Sequence, residues 1–590
     1  MTYCRIKSSL LVAALLFSTA LTTGCMGLGD SGGSEMTLPE PPAAAQSEFK
    51  IEESDLYRYD GSRLYVQNAE TGLNILDLSE PTLPRLLGQA AVVGKAGELY
   101  VRGATAIVLL ESPTAACTQI VGCSKKTWSY GAELVMVDIS NPLSPQVKQR
   151  YCVPGQLVDS RIVGDFLYTV TNETAYGSQA ISIDIKDPTR PVVVQQMAFP
   201  QASKEIHVTT EAIFVAGMGS VDPALCTLET CTCTYYRCEP KPMTDLQYIE
   251  ITAATGQLTK RGSKKVIGEP QGRFHMSAFG KEFRIVTFET MGSGRSTRLS
   301  IVDFSNPDYL QVVGELTGIG RGEQLYATRF SDDGKYAYVV TFRQTDPLWI
   351  IDLQNPALPT IVGELIVPGW SDYIFPRGNK LLTVGRGDGG EGLAVSLFDI
   401  SNPSSPQVID QLTLGLWDTT SEANSDHRAV TILEPPNEMP MVVLPYTTYG
   451  YDSEGYNTCD RVNRLQLVDV GETSLRLRGM HQQQGLIRRT LLANDVLMSI
   501  SDYEVVALDV SNRDSLKVHG SVVIGNLNSL ATDDDPYCYS YDEDYTWECG
   551  TGYGGWFCQV PAQGNAIPAD AALVFMLGFA YILRRRYRRP

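Results

Sequence analysis

Histidine is scarce in this chain. His207, His275, His427, His481 and His519 are the only five in 590 residues, and no two stand at metal-ligand spacing, which excludes a His-x-x-x-His metal hydrolase. There is no nucleophile elbow, no phosphate loop and no dinucleotide fingerprint, so no cofactor is implied. Charge is sparse as well, at 19% of residues, and it is unbalanced: the formal net charge is −19. Arg5, Lys7, Arg584, Arg585, Arg586, Arg588 and Arg589 sit at the two ends of the chain, so the body between them is more negative still. A surface of that sign repels phosphate backbones and excludes nucleic acid as a natural partner. What the chain has in quantity is 52 Gly, 32 Pro and 29 Tyr within 43% hydrophobic residues, the composition of a folded body of short strands and many turns.

The ends read differently from the body. Arg5 and Lys7 precede an apolar run over 10–16, and Leu21-Thr22-Thr23-Gly24-Cys25 follows, so residues 1–24 read as a signal peptide. This segment resembles bacterial lipoprotein signals, a resemblance that implies lipidation of Cys25; an ordinary cleaved signal is the alternative. Residues 25–48, rich in Gly, Ser, Pro and Ala, read as a flexible tether. At the other end, 526–566 is an acidic stalk rich in Tyr and Cys, and 567–590 carries a hydrophobic segment and a basic tail. The apolar run over 571–583 is short of the ~20 residues that span a bilayer as a helix, and the arginines after it would remain cytoplasmic. A short C-terminal hydrophobic helix is expected there, either kept as an anchor or removed as a sorting tail. The expected location is therefore the cell envelope, as a membrane-anchored lipoprotein at the outer membrane or cell surface. Membrane attachment is expected through lipid on Cys25 and possibly through the C-terminal helix.

Cysteine use fits an oxidising compartment. Beyond Cys4 and Cys25, eleven remain in the body, and Cys117, Cys123, Cys226, Cys231, Cys233, Cys238, Cys538, Cys549 and Cys558 fall in segments between strand patterns, as candidates for local disulfides. The group from Cys226 to Cys238 places four thiols within reach of one zinc ion, but it lacks Cys-x2-Cys knuckles; whether a metal is held stays open.

One pattern recurs along the body: an apolar run, an Asp, one more apolar residue, then a Ser/Asn/Pro turn. Leu134-Val135-Met136-Val137-Asp138-Ile139-Ser140-Asn141-Pro142 is a clear copy, repeated around Asp303 and Asp399. Asp77, Asp184, Asp352, Asp469 and Asp509 anchor others, and Glu250 takes the place in a degenerate one. Successive anchors lie 61, 46, 66, 53, 49, 47, 70 and 40 residues apart, near the ~40–50 of a propeller blade once insertions are allowed for. Two strand-like segments precede each anchor, as at 326–330 and 336–342, joined by Asp332-Asp333-Gly334. Four strands per unit predict an all-β fold, a single β-propeller of eight or nine four-stranded blades over 49–525. The recurring Asp is expected to bind backbone N–H groups at the strand-to-turn junction rather than to do chemistry.

These copies look like the bacterial surface repeat named after Leu-Val-Ile-Val-Asp. The stretch 326–386, with Tyr338-Val339-Val340-Thr341-Phe342 and Val362-Gly363-Glu364-Leu365, resembles the secreted beta-propeller domain family of bacteria and archaea. The resemblance implies the propeller and an exported location, with no catalytic residue to carry over.

Candidate sites are few. Asp426-His427-Arg428 is an ionisable cluster beside a strand, where Asp426 could orient His427 as a general base. Arg386-Gly387-Asp388 matches an integrin-binding tripeptide and equally a turn that needs Gly and Asp. The acidic aromatic run 533–547 could hold calcium or be a solvated stalk. Insertions at 117–130, 225–241 and 445–461 break the repeat and offer aromatic surface. Two functions follow: a non-enzymatic surface or periplasmic binding or scaffold propeller that recognises a protein or glycan through loops on one face, or a propeller hydrolase or lyase that uses channel carboxylates or His427.

Overall fold

The computed structural model describes residues 50–526, apart from short loop segments of which 120–130 is the longest, together with 548–552 and 555–559. Cys25, Cys117, Cys123, Cys538, the acidic aromatic run up to Glu548 and the C-terminal hydrophobic segment lie outside the described residues. Nine four-stranded antiparallel sheets follow one another at 57–90, 96–154, 156–199, 203–267, 276–319, 324–367, 370–414, 431–483 and 487–523, numbered here blades 1 to 9. The blade count is therefore nine, and the unit with Glu250 in place of Asp is the fourth. Two blades gain a strand: blade 2 takes Thr118–Gln119 and blade 3 takes the N-terminal strand Ile51–Glu53. Helix among the described residues is confined to short 3-10 turns, and none of it is long and apolar enough to cross a membrane.

Within each blade the middle strands are almost wholly buried, as in Thr105–Leu110 and Leu393–Asp399, whereas the fourth alternates with solvent, as in Gln146–Pro154. The core lies between blades. Val286 and Leu299 of blade 5 pack on Ala337 and Ile351 of blade 6, and Leu64 and Leu76 of blade 1 pack on Met498 and Ala507 of blade 9. That last cluster closes the ring without a shared strand; Asn68 Nδ2 donates to the Asp502 carbonyl, and Thr71 Oγ1 donates to the Ile524 carbonyl at 2.5 Å across the same seam. Radial stacking leaves only short sheet edges, at the channel and at the rim.

Two repeated devices explain the motif. The anchor carboxylates of Asp77, Asp138, Asp184, Asp303, Asp352, Asp399 and Asp509 each accept the backbone N–H two residues on, at 2.8–3.0 Å. Each closes an Asx turn. Asp469 departs from this, since its oxygens take Arg478 and Arg513 instead. The second device is a glycine in the fourth strand. A Cβ on Gly314 would stand 1.9 Å from the Pro356 carbonyl oxygen of the next blade, and one on Gly363 would stand 1.9 Å from that of Pro403. The missing side chain lets one blade's edge meet its neighbour's Asn-Pro turn.

Alternating strand direction sorts the loops onto two faces. Turns between the first and second and between the third and fourth strands lie on one, here the lower face; those between the second and third strands, and the links from blade to blade, lie on the upper. The insertions at 117–130, 225–241 and 445–461 all join second to third strands, in blades 2, 4 and 8. All three therefore emerge on the upper face. In the second of them Cys226 pairs with Cys231 and Cys233 with Cys238 as disulfides, not as a zinc site. Cys152, in the fourth strand of blade 2, is also disulfide-bonded, and the backbones of Cys549 and Cys558 face each other in a separate hairpin.

Candidate binding site in the central channel

The first strand of each blade lines the channel, and six of the nine carry a register shift near their upper end: Ala96/Glu98, Leu157/Asp159, Ser203/Glu205, Leu325/Ala327, Ser371/Tyr373 and Ile487/Arg489. Such a bulge turns the local side chains relative to the pleat. It brings charged groups that sit in otherwise apolar strands to the channel.

Two blade-to-blade links complete the upper end. The link into blade 5 carries the 3-10 turn Arg273–His275, where His275 Nδ1 accepts the Gln271 N–H at 3.2 Å. The link into blade 8, over 415–430, holds two more turns. In the first, Ser421 Oγ accepts the Ala423 N–H and Asn424 Oδ1 accepts the Ser421 N–H, both at 3.0 Å. In the second, Asp426 Oδ1 accepts the Arg428 N–H at 3.0 Å. Reciprocal capping of this kind fixes short turns that have little packing of their own.

Between them lies an upper cavity of about 480 Å³. Its wall includes Glu205, Phe274, Tyr326, Asp372, Tyr373 and His427. Burial, then the nearby Asp159, pushes the Glu205 carboxyl up to about 7, and it makes no hydrogen bond among the described residues. Burial likewise raises Asp372 to about 6 although Asn424 Nδ2 donates to it at 2.6 Å. Both carboxyls are largely protonated in mildly acidic solution, and Glu205 about half so at neutrality. Phe274 stands edge-on to His427 at 4.6 Å between centroids and to Tyr373 at 6.2 Å. Burial, then Arg273, holds His427 down to about 3, so its ring is neutral.

The structure brings Asp426 and His427 to this wall but 3.7 Å apart, beyond a hydrogen bond. Asp426 is committed elsewhere: Arg428 grips it through Nε and Nη2 at 2.9 and 2.8 Å, and the Arg489 guanidinium, 1% exposed, takes its other side. Those cations keep its carboxyl far below the usual range despite burial. Arg386-Gly387-Asp388 lies on the upper face as a turn, with the Arg386 guanidinium donating to the Thr419 carbonyl and the Gly387 N–H to Glu391.

A second cavity, about 450 Å³, occupies the lower channel; Arg273 and Phe274 belong to the walls of both. The N-terminal strand enters here. Ile51 pairs with Val163 and Glu53 with Arg161 at the lower end of blade 3, and Asp55 bridges to Leu99 of blade 2 before blade 1 begins. The segment thus climbs the channel from the lower face. Glu53 meets Arg161 at 3.4 Å and also Arg273, Asp55 accepts from Arg489 Nε at 2.7 Å, and the Ser54 carbonyl accepts from Arg428 at 3.0 Å. Sequence inspection missed this set because its members are up to 434 positions apart. The signal that could have found them is a charged residue inside the first apolar strand of each unit, as in Ala96–Arg102, Gln156–Val163 and Ser203–Val208.

A nine-bladed ring with a closed seam and a walled channel defines the β-propeller class. The beta propeller domain family model matches residues 46–196 and 179–513, and the chain belongs to that family. An uncharacterized protein of Methanocaldococcus jannaschii is 34% identical over 256 residues, 42% of this chain and 36% of that one. Another, of Archaeoglobus fulgidus, is 36% identical over 209 residues, 35% of this chain and 31% of that one. The match thus spans about a third of either relative. Among solved structures, a hypothetical selenium-binding protein of Sulfolobus tokodaii is similar at 12% identity and TM-score 0.32, over 70% of this chain and 92% of that one. Hsv2p of Kluyveromyces lactis is similar at 9% identity and TM-score 0.32, over 66% and 99%.

Proposed function

We propose that the protein is an exported binding module of the cell envelope, attached through lipid on Cys25, whose upper face captures a glycan in the central cavity. The observation that carries this reading is the wall of that cavity: aromatic side chains Phe274, Tyr326 and Tyr373 beside the carboxyls Glu205 and Asp372 and the amide of Asn424. Rings offer faces for sugar C–H groups, while partly protonated carboxyls and amides both donate and accept to hydroxyls. The three insertions join strand ends that lie on that face. Calorimetric titration with a panel of oligosaccharides tests it. Saturable binding weakened tenfold or more by Tyr373→Ala is expected; no binding across the panel overturns it.

A propeller hydrolase or lyase is the second reading, favoured by one observation, that Glu205 and Asp372 share one cavity whose burial raises both carboxyls above the ordinary range. Chromatographic detection of product from a bound oligosaccharide, abolished by Glu205→Gln, would move the assignment to an enzyme.

A further inference from the structure

The lower channel gathers arginines inside an acidic protein, one of them, Arg161, already paired with Asp159. Arg161, Arg273 and Arg329 line its cavity, against which Glu53 and Asp332 are the acidic side chains of the wall. Glu53 is shared by Arg161 and Arg273. Asp332 acts on Arg329 only through space, without a hydrogen bond or ion pair. Arg329 is half-buried, its guanidinium lies 4.6 Å from the centroid of Phe274, and among the described residues its five N–H donors have no hydrogen-bond acceptor. His207, across the cavity, adds no competing charge: burial brings it down to about 4, and its Nε2 accepts the Ala278 N–H at 3.3 Å.

A half-buried guanidinium without a protein acceptor has donors free for a ligand, and one held over a ring is already oriented for a planar partner. The channel shows what such a partner looks like. Glu53, delivered by the N-terminal strand, places one carboxylate between Arg161 and Arg273, and the neighbouring Arg329 stands ready for a second.

We propose that the lower cavity is a carboxylate-binding site, in which Arg329, stacked on Phe274 and assisted by Arg273, takes the carboxylate of a small organic acid that enters from the lower face. The two cavities share Arg273 and Phe274, but Tyr326, Asp372 and Tyr373 belong to the upper wall alone and Arg329 to the lower one, so variants there tell the two readings apart. Glu53 is the built-in competitor. Its neutralisation frees Arg273, while Arg161 keeps Asp159, so an added carboxylate should then bind more tightly, not less.

The test uses the full chain and sodium succinate, with sodium chloride at matched ionic strength and sodium sulfate as separate arms. Calorimetry should show one saturable succinate site in the wild type. Arg329→Gln should weaken it at least tenfold, Glu53→Gln should tighten it several-fold, and Tyr373→Ala should leave it unchanged. Arg329→Lys keeps the charge but loses the planar fork and should fall between; it also serves if the Gln variant folds poorly. Four results would overturn the proposal: succinate heat no greater than that of chloride, undiminished affinity in both Arg329 variants, weaker binding in Glu53→Gln, or sulfate binding at least as tight as succinate.

Discussion

The two faces of the ring are made by the same nine blades and obey different rules. On the lower face the turns repeat: the same Asp, the same two-residue Asx closure and the same glycine contact recur from blade to blade. On the upper face the bulge recurs, but among the described residues the loops and side chains differ from blade to blade. Links lengthen to 415–430, one insertion carries two disulfides, and the residues at the bulges change identity from Glu98 and Asp159 to Tyr373 and Arg489. Recurrence marks what each blade needs in order to stack, and the departures mark what the ring presents. A repeated residue is therefore a poor candidate for chemistry, however suggestive its type.

The largest expected break comes in the channel. Asp426→Ala would leave the buried Arg489 and its neighbour Arg428 without their shared acceptor, in a network that also holds Ser54 and Asp55. Losing one partner of a buried ion pair costs about 3–5 kcal/mol, which denaturant unfolding would register; a loss below about 1 kcal/mol would show that the network is solvated and that the channel is no more demanding than the rim. Next is the blade seam. Gly363→Ala drives a methyl into the Pro403 carbonyl, a backbone atom that cannot swing aside, and should cost about 2–4 kcal/mol. Gly61→Ala, with open space around its Cβ but φ of +99°, should cost less, about 1 kcal/mol, from backbone strain alone. Equal losses at the two positions would end the stacking account.

The upper cavity sharpens the contrast through pH. Glu205 rises from an ordinary value of 4.5 to about 7 in the folded chain. Between those values the native state keeps a proton that the unfolded chain has released, so stability falls as pH rises across that window. Glu205→Gln removes the titration. It should match the wild type below pH 4.5 and become more stable above pH 7, by about 3 kcal/mol on the linkage relation. Thermal melts from pH 4 to 8 decide it; parallel wild-type and variant curves would mean the carboxyl is hydrated.

What could be read from the chain follows the same division. The nine anchors from Asp77 to Asp509 were visible because a blade must reuse its turn chemistry, and even the degenerate unit at Glu250 kept its strand pattern. The channel set was not visible, since Glu53, Arg161, Arg273 and Arg329 converge only after the ring closes. Asp426 and His427 read from the sequence as an ionisable cluster beside a strand; they lie on a 3-10 turn whose partners, Arg489 and Phe274, come from blade 9 and from the link into blade 5. Cys152 escaped notice because it lies inside a strand rather than in a loop.

The smallest effect tests the anchors themselves. In Asp303 one carboxylate oxygen accepts both the N–H and the hydroxyl of Ser305, at 2.8 and 2.6 Å, and those hydrogen bonds hold its carboxyl below the usual range. A depressed folded value means stability that is present above the unfolded value near 3.8 and is lost as pH falls through the folded one. Asp303→Ala should therefore cost about 1 kcal/mol near neutrality, the worth of a partly exposed turn hydrogen bond, and progressively less toward pH 2. Asp469 offers the contrast, because it has exchanged the turn for the guanidiniums of Arg478 and Arg513, with only 4% of its side chain exposed. Its removal leaves two cations facing each other at the blade 8 to blade 9 contact, so Asp469→Ala should cost clearly more than Asp303→Ala. If denaturation midpoints put Asp303 at or above Asp469, then the recurring Asp does something beyond closing its turn, and the separation between repeated structure and varied function that the two faces imply would have to be given up.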